Sequence, residues 1–343
     1  MQSYRKLELI YGDVVDAENV VACSSGTAAL HLALESLPIP RPSLVAIPDF
    51  SMIAIARAVK LAGHTPVLID CNPDTLNMSN HHLKTAFNVI SVRRGRGSSV
   101  DQIGAVITVH TYGRDANVEI LEDVVKKNAY RPGMQIIEDL AEAHTIKKSP
   151  RSDAATWSFY KNKIIAGEEG GAVSFLSEKY AGKAKSLRCL GFTEEHDFSH
   201  TPRGHNYRLA NTLADLILDD IDRVDNNVYA RREVIDYYDS GCPDECRMPG
   251  RQSPWVYDVI LPKSVPFENK AQFIKELNDI GIQARHSFKP VSMQEEFKEC
   301  EVFGEGVSRE MYKRVMYFPV YPETTSEEID ESMNRLYAFV KSN

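Results

Sequence analysis

The sequence NVVACSSGTAALHLALESL, residues 19–37, decides the fold. Its first part is a short apolar, β-branched run, and its second part repeats Leu30, Leu34 and Leu37 at helical spacing, with Gly26 between the two parts. This order predicts a strand, a turn and a helix. Because the strand is apolar without alternation, we expect it to be buried on both faces.

The same alternation of strand and helix continues along the chain. Strands are predicted for SLVAIPDF (43–50), TPVLIDCN (65–72), AVITVHTYG (105–113) and MQIIEDLAEA (134–143), and helices for MIAIARAVKLAG (52–63) and NVEILEDVVKKNA (117–129). Apolar strands separated by helices favour a mostly parallel sheet that is covered by helices on both faces.

The character of the sequence changes after about residue 225. A long amphipathic helix is predicted for NNVYARREVIDYY (226–238), followed by a strand in SPWVYDVILP (253–262) and helices in KAQFIKELNDIGI (270–282) and SEEIDESMNRLYAFVKS (326–342). We therefore predict a large domain over residues 1–225 and a smaller C-terminal α/β domain over residues 226–343.

Composition restricts the possible partners. The chain has 343 residues, 43% of them hydrophobic and 26% charged, which suits about two globular domains. A formal net charge of -8 argues against nucleic-acid binding, so an anionic ligand must be held by a local group of cations. No apolar run approaches the roughly 18 residues of a membrane span, and no signal peptide is evident, so we expect a cytoplasmic protein with no membrane partner.

Cysteines and histidines do not indicate a metal site. The six cysteines are scattered through a long chain, which favours reduced thiols. Cys242 and Cys246 have no second pair of ligands at zinc spacing, so buried or incidental thiols are favoured over a metal. We interpret His81 and His82 as a solvated helix start, and the basic segment SVRRGRGSSVDQ (91–102) as a solvated, mobile loop rather than an anion site.

Chemistry is predicted where strands end, because ligands in open α/β sheets bind at the carboxyl ends of the strands. Ser25, Gly26 and Thr27 lie at a predicted helix N-terminus, where free N–H groups and the helix dipole favour a phosphate. A plain N-cap by serine or threonine is the alternative.

Two further strand ends carry ionisable groups. Asp139 and Glu142 follow the apolar strand in IIEDLAEAH, and a buried carboxylate there would be costly without a cationic partner. WSFYKNK (157–163) supplies Ser158 and two lysines, Lys161 and Lys163. A lysine close to a phosphate site and a buried carboxylate is the arrangement that captures a carbonyl compound covalently.

Together these segments resemble the nucleotide-sugar aminotransferases of the DegT/DnrJ/EryC1/StrS family, and in particular its perosamine synthase-like branch. The resemblance runs from about Val20 to the C-terminus. Its implied fold is α/β, the PLP-dependent transferase fold type I, in which a large mixed-sheet three-layer domain precedes a small C-terminal α/β domain. The resemblance also implies the cofactor pyridoxal 5'-phosphate (PLP) and a homodimer with shared active sites. The motifs that carry it are SSGTAALHLAL, IPDFSMIAIARAVKLAGHTPVLIDCNPDTLNM, VHTYGRDANVE, IIEDLAEAH, SFYKNKIIAGEEGGAV and HNYRLANTLADLILDDIDRVD.

The resemblance also implies roles for single residues. Lys163 matches the lysine that binds the cofactor covalently, whereas Lys161 falls on a variable position. Asp139 matches the partner of the pyridine nitrogen, and Glu142 a position beside the phenolic oxygen of the ring. The other implied cofactor contacts are Ser25, Gly26, Thr27 and Ser158 at the phosphate, Asn206 at the phosphate of the other subunit, and Met52 over the ring.

Three positions depart from the family pattern. Glu168 replaces a glycine, so we expect a differently shaped loop after the lysine. Ser292 replaces a histidine and His286 a proline, and this chain begins later than most relatives. We expect these last differences to affect substrate fit more than cofactor chemistry.

The implied reaction moves an amino group from an amino acid, with glutamate the first candidate, to a keto nucleotide sugar. The first substrate to consider is a 4-keto-6-deoxyhexose such as GDP-4-keto-6-deoxymannose, aminated at C4. Arg208, Arg285 and Lys289 are candidates to bind its diphosphate, with surface salt bridges as an equally weighted alternative. A 3-keto sugar or a cyclitol is the alternative substrate. A degenerate binding or regulatory protein is the non-enzymatic alternative, whereas Lys163 argues against a related dehydratase that carries histidine there.

Overall fold

The computed structural model describes residues 2–93, 102–128, 133–192 and 198–343, so most of the basic segment 91–102 lies outside the described residues. Within these ranges, eight strands form one large sheet. In chain order they are β1 (Val21–Cys23), β2 (Leu44–Pro48), β3 (Thr65–Ile69), β4 (Ile103–Val109), β5 (Gln135–Asp139), β6 (Ala154–Ser158), β7 (Gly171–Phe175) and β10 (Val302–Phe303).

The large sheet is mixed. Its spatial order is β1-β7-β6-β5-β4-β2-β3-β10, and every pair from β6 to β10 is parallel. Strand β7 runs antiparallel to both β1 and β6. The prediction of a mostly parallel sheet is confirmed, and the carboxyl ends of β4, β5 and β6 therefore lie at one edge.

Helices cover both faces of this sheet, because successive side chains of each strand point in opposite directions. Val45 and Ile47 belong to an apolar layer with the helices α2 (Gly26–Ser36), α3 (Ala54–Leu61) and α6 (Glu178–Arg188). Ala46 between them packs on the other side, with α4 (Asn80–Arg93) and α5 (Val118–Asn128). The helices α1 (Ser3–Val15) and α7 (Asn211–Ile221) cover β1, β6 and β7 on that second side.

A second, antiparallel sheet has the order β8-β11-β9 within the described residues. Its strands are β8 (Val256–Ile260), β9 (Arg285–His286) and β11 (Val315–Pro319), and the remaining helices are α8 (Val224–Gly241), α9 (Phe267–Asp279), α10 (Val307–Arg314) and α11 (Ser326–Ser342). Helices α8, α9 and α11 pack on this sheet around Tyr257 and Phe318. The domain boundary at residues 225 and 226 stays a prediction, and it falls within α8.

The chain returns once to the large sheet. Strand β10 follows the last residues of β9 and pairs with β3, with Val302 opposite Leu68 and Phe303 opposite Ile69. Of the helices in the described ranges, none has both the length and the hydropathy that crossing a bilayer requires.

Candidate active site

The predicted phosphate site lies where helix α2 begins. Ser25 is the N-cap, and its Oγ accepts a hydrogen bond from the Ala28 N–H at 3.1 Å. Among the described hydrogen bonds, none uses the N–H groups of Gly26 or Thr27. A Cβ on Gly26 would lie 2.8 Å from the Cβ of Ser158, so only glycine lets Ser158 at the end of β6 approach the helix so closely. The structure thus brings Ser25, Gly26, Thr27 and Ser158 together.

The predicted ionisable residues meet at the ends of β5 and β6. Asp139 ends β5 and is 6% exposed, and Glu142 is 5% exposed. Lys163 follows β6 in a turn closed by a hydrogen bond from its own N–H to the Tyr160 carbonyl at 2.8 Å. The amine of Lys163 interacts electrostatically with both carboxylates. Lys161 is exposed, and its assignment to a variable position stays a prediction.

Burial and attraction oppose each other in this group. Burial lowers the pKa of the Lys163 amine, and the charges of Glu142 and Asp139 partly restore it. Burial also raises the pKa of Asp139, and it raises that of Glu142 to about 7. A lysine whose pKa is lowered has more of its amine neutral near pH 7, as a nucleophile or a base requires.

Two aromatic residues that the sequence did not single out complete this group. The Lys163 Nζ lies 3.9 Å from the ring centre of Trp255, and the Trp255 indole N–H donates to the Asn162 carbonyl at 2.8 Å. The Tyr112 N–H donates to Glu142 Oε2 at 2.7 Å. Trp255 belongs to a predicted strand of the C-terminal half, and nothing in that pattern signals a contact with the lysine.

A buried histidine fixes the end of β6. His144 Nε2 lies 3.0 Å from the Ser158 carbonyl, and His144 Nδ1 lies 3.1 Å from the Tyr11 hydroxyl. Burial and the nearby Lys163 lower the pKa of His144 to about 3, so the ring is neutral. The Nε2–H therefore donates to Ser158, and the Tyr11 hydroxyl donates to Nδ1.

Asn206 and Arg208 flank Tyr207, whose carbonyl accepts from the Ser24 N–H at 2.9 Å, next to the predicted phosphate site. Both side chains are exposed, and the Arg208 guanidinium donates to Asn206 Oδ1 at 3.0 and 3.2 Å. Arg208 lines a groove of about 1200 Å³ between α1 and α6. Among the described hydrogen bonds, none connects either residue to Lys163 or Ser158.

The remaining predicted contacts are at the surface. Met52 is 53% exposed, and Arg285 and Lys289 are exposed on and just after β9. Ser292 instead is buried, and its N–H and hydroxyl donate to the Asp49 carboxylate at 2.7 and 2.9 Å. Ser292 therefore fastens its segment to the end of β2.

Glu168 adopts a backbone conformation that favours glycine. Its φ of 65° lies in the left-handed region, where a Cβ introduces strain. The glycine of the family pattern would accept this backbone without strain, so the replacement does not itself require a different loop. This backbone conformation therefore does not support the prediction that the loop after the lysine has a different shape.

A second group of ionisable residues occupies the other end of α2. His31, Glu35 and His205 hold their ligand atoms within 4.8 Å of one another, a donor set that suits a divalent cation. Glu35 Oε1, however, already accepts from Arg41 at 2.9 Å and Arg203 at 3.1 Å, and Oε2 lies 2.6 Å from His205. Two guanidinium groups repel a further cation, so we interpret this group as an ion-pair network that fastens the chain around His205 to α2.

The residues at the ends of β5 and β6 fit PLP by their own chemistry. Free N–H groups and hydroxyls at the start of α2 suit its phosphate, a half-buried lysine suits its carbonyl, and the buried Asp139 suits its ring nitrogen. With the mixed sheet between two layers of helices, these features define a PLP-dependent transferase of fold type I.

Comparisons with known proteins identify the family. The profile of the DegT/DnrJ/EryC1/StrS aminotransferase family matches residues 2–337. GDP-perosamine synthase of Caulobacter vibrioides is 30% identical over 83% of this chain and 76% of its own. The dTDP-3-amino-3,4,6-trideoxy-alpha-D-glucose transaminase of Micromonospora megalomicea subsp. nigra is 28% identical over 81% and 72% of the two chains.

A crystal structure of a family aminotransferase from Brucella abortus superposes with a TM-score of 0.87 at 24% identity, over 99% of this chain and 90% of that one. The chain therefore belongs to the DegT/DnrJ/EryC1/StrS aminotransferase family, and it is a PLP-dependent aminotransferase. The family, the fold type and the cofactor predicted from the sequence are confirmed.

Proposed function

We propose that this enzyme transfers an amino group from an amino acid, with glutamate as the first candidate, to C4 of a nucleotide-linked 4-keto-6-deoxyhexose. The observation that carries the proposal is the likeness to GDP-perosamine synthase across most of both chains. GDP-4-keto-6-deoxymannose is therefore the first acceptor to test. We place the reaction in the cytoplasm, in agreement with six cysteines that are all free thiols.

The residues around Lys163 support this chemistry. When bound, PLP supplies a carbonyl that takes up the amino group and a ring that withdraws electrons from the reacting carbon. Asp139 at the end of β5 would pair with the ring nitrogen and keep it protonated, and Ser25, Gly26, Thr27 and Ser158 would hold the phosphate. Lys163 would accept a proton from the amino-acid carbon and return it, because burial lowers the pKa of its amine and so increases the fraction that is neutral.

The choice of acceptor is tested by turnover of a substrate panel. The enzyme, PLP and ¹⁵N-glutamate would be incubated with GDP-, UDP- and dTDP-linked 4-keto sugars, a dTDP-linked 3-keto sugar and scyllo-inosose. Mass spectrometry and NMR would locate the ¹⁵N atom in each product. Incorporation at C4 of the GDP sugar supports the proposal, and incorporation only into the 3-keto sugar or the cyclitol contradicts it while leaving the aminotransferase activity in place.

A second candidate acceptor is a dTDP-linked 3-keto sugar. The 28% identity with the Micromonospora transaminase is nearly as high as that with the Caulobacter enzyme. The exposed Arg285 and Lys289 are the cations we propose for the sugar diphosphate in either case. The same panel distinguishes the two candidates by the carbon that carries nitrogen.

We also propose a homodimer in which Asn206 of each chain completes the phosphate site of the other. Asn206 and Arg208 support this idea because both side chains are exposed and therefore accessible to a partner subunit. Mixing inactive Lys163→Ala and Asn206→Asp chains is expected to restore one working site per mixed dimer, because a two-fold interface exchanges the same surface. Sedimentation and activity of the mixture check this, and a monomer or an inactive mixture would contradict it.

A further inference from the structure

Trp255 has no part in the reaction as proposed above, yet its ring faces the reactive lysine. The Lys163 Nζ lies 3.9 Å from the ring centre, well within the roughly 6 Å over which an aromatic face attracts a cation. Trp255 is 5% exposed, so little water competes for the amine on that side. An indole ring is the strongest of the aromatic faces for this interaction.

The position of this ring is fixed by the chain on either side of it. The Trp255 indole N–H donates to the carbonyl of Asn162, the residue before Lys163. Gly113, with φ of 78°, accepts hydrogen bonds from the N–H groups of Gln252 at 3.0 Å and Ser253 at 2.9 Å. A Cβ on Gly113 would collide with the Ser253 carbonyl, so only glycine permits this close approach.

Aromatic neighbours hold the indole from the side. The ring centres of Tyr112 and Tyr317 lie 6.1 and 6.5 Å from that of Trp255. Turning the indole away from Lys163 would therefore disturb a packed group, and its face forms one wall of the lysine pocket.

Charged groups face the amine from the other elements. Asp139 and Glu142 interact with it from the end of β5, and the positive amine in turn lowers the pKa of His144. On α8, Arg231 donates to the Lys163 carbonyl at 3.5 Å rather than to its amine. Among the described residues, the carboxylates of Asp139 and Glu142 and the indole face of Trp255 thus act on the amine.

We propose that Trp255 is a positioning residue for Lys163. The indole face of Trp255 holds the protonated amine of Lys163 whenever that amine is not bound to the cofactor. The proposal deepens the role of Lys163 in the proposed function. When Lys163 has taken up a proton, its amine would rest against the indole face instead of pairing tightly with Asp139 or Glu142.

The test is trace labelling of amines with acetic anhydride, read by peptide mass spectrometry. The full-length chain would be loaded with pyridoxamine phosphate, which leaves Lys163 free and needs neither an amino donor nor a sugar. The exposed Lys161 is the internal reference. Because labelling does not depend on turnover, its outcome is independent of which acceptor the enzyme uses.

Trp255→Leu removes the face, and Trp255→Phe keeps an aromatic face without the indole N–H. We expect the apparent pKa of Lys163 to fall by about one unit in the leucine variant, which raises its labelling near neutral pH about tenfold. The phenylalanine variant should stay within about twofold of the natural chain. Equal labelling of all three, or equal increases in both variants, would overturn the proposal.

Fluorinated tryptophan gives a second measurement that preserves the shape of the side chain. The chain contains two tryptophans, Trp157 and Trp255, and the Trp255→Phe variant grown on the same analogues controls for Trp157. Each added fluorine weakens the negative potential of the ring face. Labelling of Lys163 should rise stepwise with fluorine number only where Trp255 is present, and a flat series would show that Trp255 merely fills space.

Discussion

The molecule has two buried carboxylate sites, Asp258 on β8 and the pair Asp139 and Glu142 at the candidate active site. Their pKa values are shifted in opposite directions. Asp258 is fully buried, and its Oδ1 accepts from Arg114 at 3.0 Å and from Arg251 at 2.7 Å. Burial alone would raise its pKa, but the two arginines outweigh burial and hold the pKa below its usual value. Burial raises the pKa values of Asp139 and Glu142, and the amine of Lys163, with His110 as a further neighbour of Asp139, only partly offsets it.

The difference separates a structural ion pair from a reactive one. The single negative charge of Asp258 is paired with the two positive charges of Arg114 and Arg251, so Asp258 stays ionised and holds Arg114 in place. Asp139 and Glu142 have too little positive charge nearby to offset burial, so their protonated forms are favoured relative to free carboxyl groups. Shifted pKa values of this second kind are typical of sites that perform chemistry.

Removing the lysine gives the largest expected effect. Lys163→Ala should lower turnover on the order of 10⁴-fold, because it removes both the covalent attachment and the base. Borohydride reduction followed by peptide mapping should fix PLP on Lys163 in the natural chain and on no lysine of the variant. Lys161→Ala is the matched control and should keep both properties. A label on Lys161 would contradict the assignment.

Asp258→Asn should cost stability without touching the chemistry directly. Removing the negative charge leaves Arg114 and Arg251 buried without a counter-charge, which costs about 3–5 kcal/mol of unfolding free energy. Urea unfolding of the full chain at pH 7 checks this. A loss below about 1 kcal/mol would show that the two guanidinium groups find other partners.

In contrast to Asp258→Asn, Asp139→Asn should lower turnover and leave the stability almost unchanged. Turnover should fall roughly 100- to 1000-fold, because a neutral amide cannot hold the ring nitrogen protonated. The unfolding free energy of the cofactor-free chain should change by less than about 1 kcal/mol, since the amide oxygen still accepts the Ala141 N–H at 3.0 Å. Kinetics and urea unfolding of one preparation test both parts, and near-normal turnover would refute the role of Asp139.

Glu142 should give the smallest effect, a slope in the pH dependence of stability. Its pKa is about 7 in the folded chain against 4.5 for the free group, so the unfolded chain loses this proton first as pH rises. Glu142 therefore lowers the unfolding free energy by up to about 3 kcal/mol between these pH values.

Urea unfolding of the cofactor-free chain at pH 4.5, 5.5, 6.5 and 7.5 would measure this slope. Glu142→Gln should flatten it while keeping an acceptor for the Tyr112 N–H. Asp258 acts with the opposite sign, since its lowered pKa means that its contribution is lost as pH falls. An unchanged slope in the glutamine variant would show that Glu142 is already ionised in the folded chain.

The sequence predicted the parts of the site that lie next to strand ends. The family resemblance assigned Ser158 and Gly26 to one phosphate site, and the alternation of strands and helices placed Asp139 and Lys163 at the ends of predicted strands. Local patterns carry that information, because the carboxyl ends of parallel strands share an edge. The antiparallel pairing of β1 with β7 follows from no such local pattern.

The contact of Trp255 with Lys163 was beyond the reach of the sequence. It depends on the close approach of Gly113 to Ser253, two residues far apart in the chain. A turn residue with positive φ gives no signal of the partner that it will meet. The ion pairs of Asp258 are not signalled by the sequence for the same reason, since Arg114 lies in the loop after β4 and Asp258 lies on β8 of the second sheet.

The two-residue strand β10 sets an order of events during synthesis. The Leu68 N–H donates to the Glu301 carbonyl and the Asp70 N–H to the Phe303 carbonyl, both at 2.9 Å, so β3 has an unpaired outer edge until residue 303 exists. At about 5–20 residues per second, roughly 10–50 s pass between the synthesis of β3 and that of β10. Over that time the growing chain carries an apolar strand edge that can pair with a neighbouring nascent chain on the same messenger.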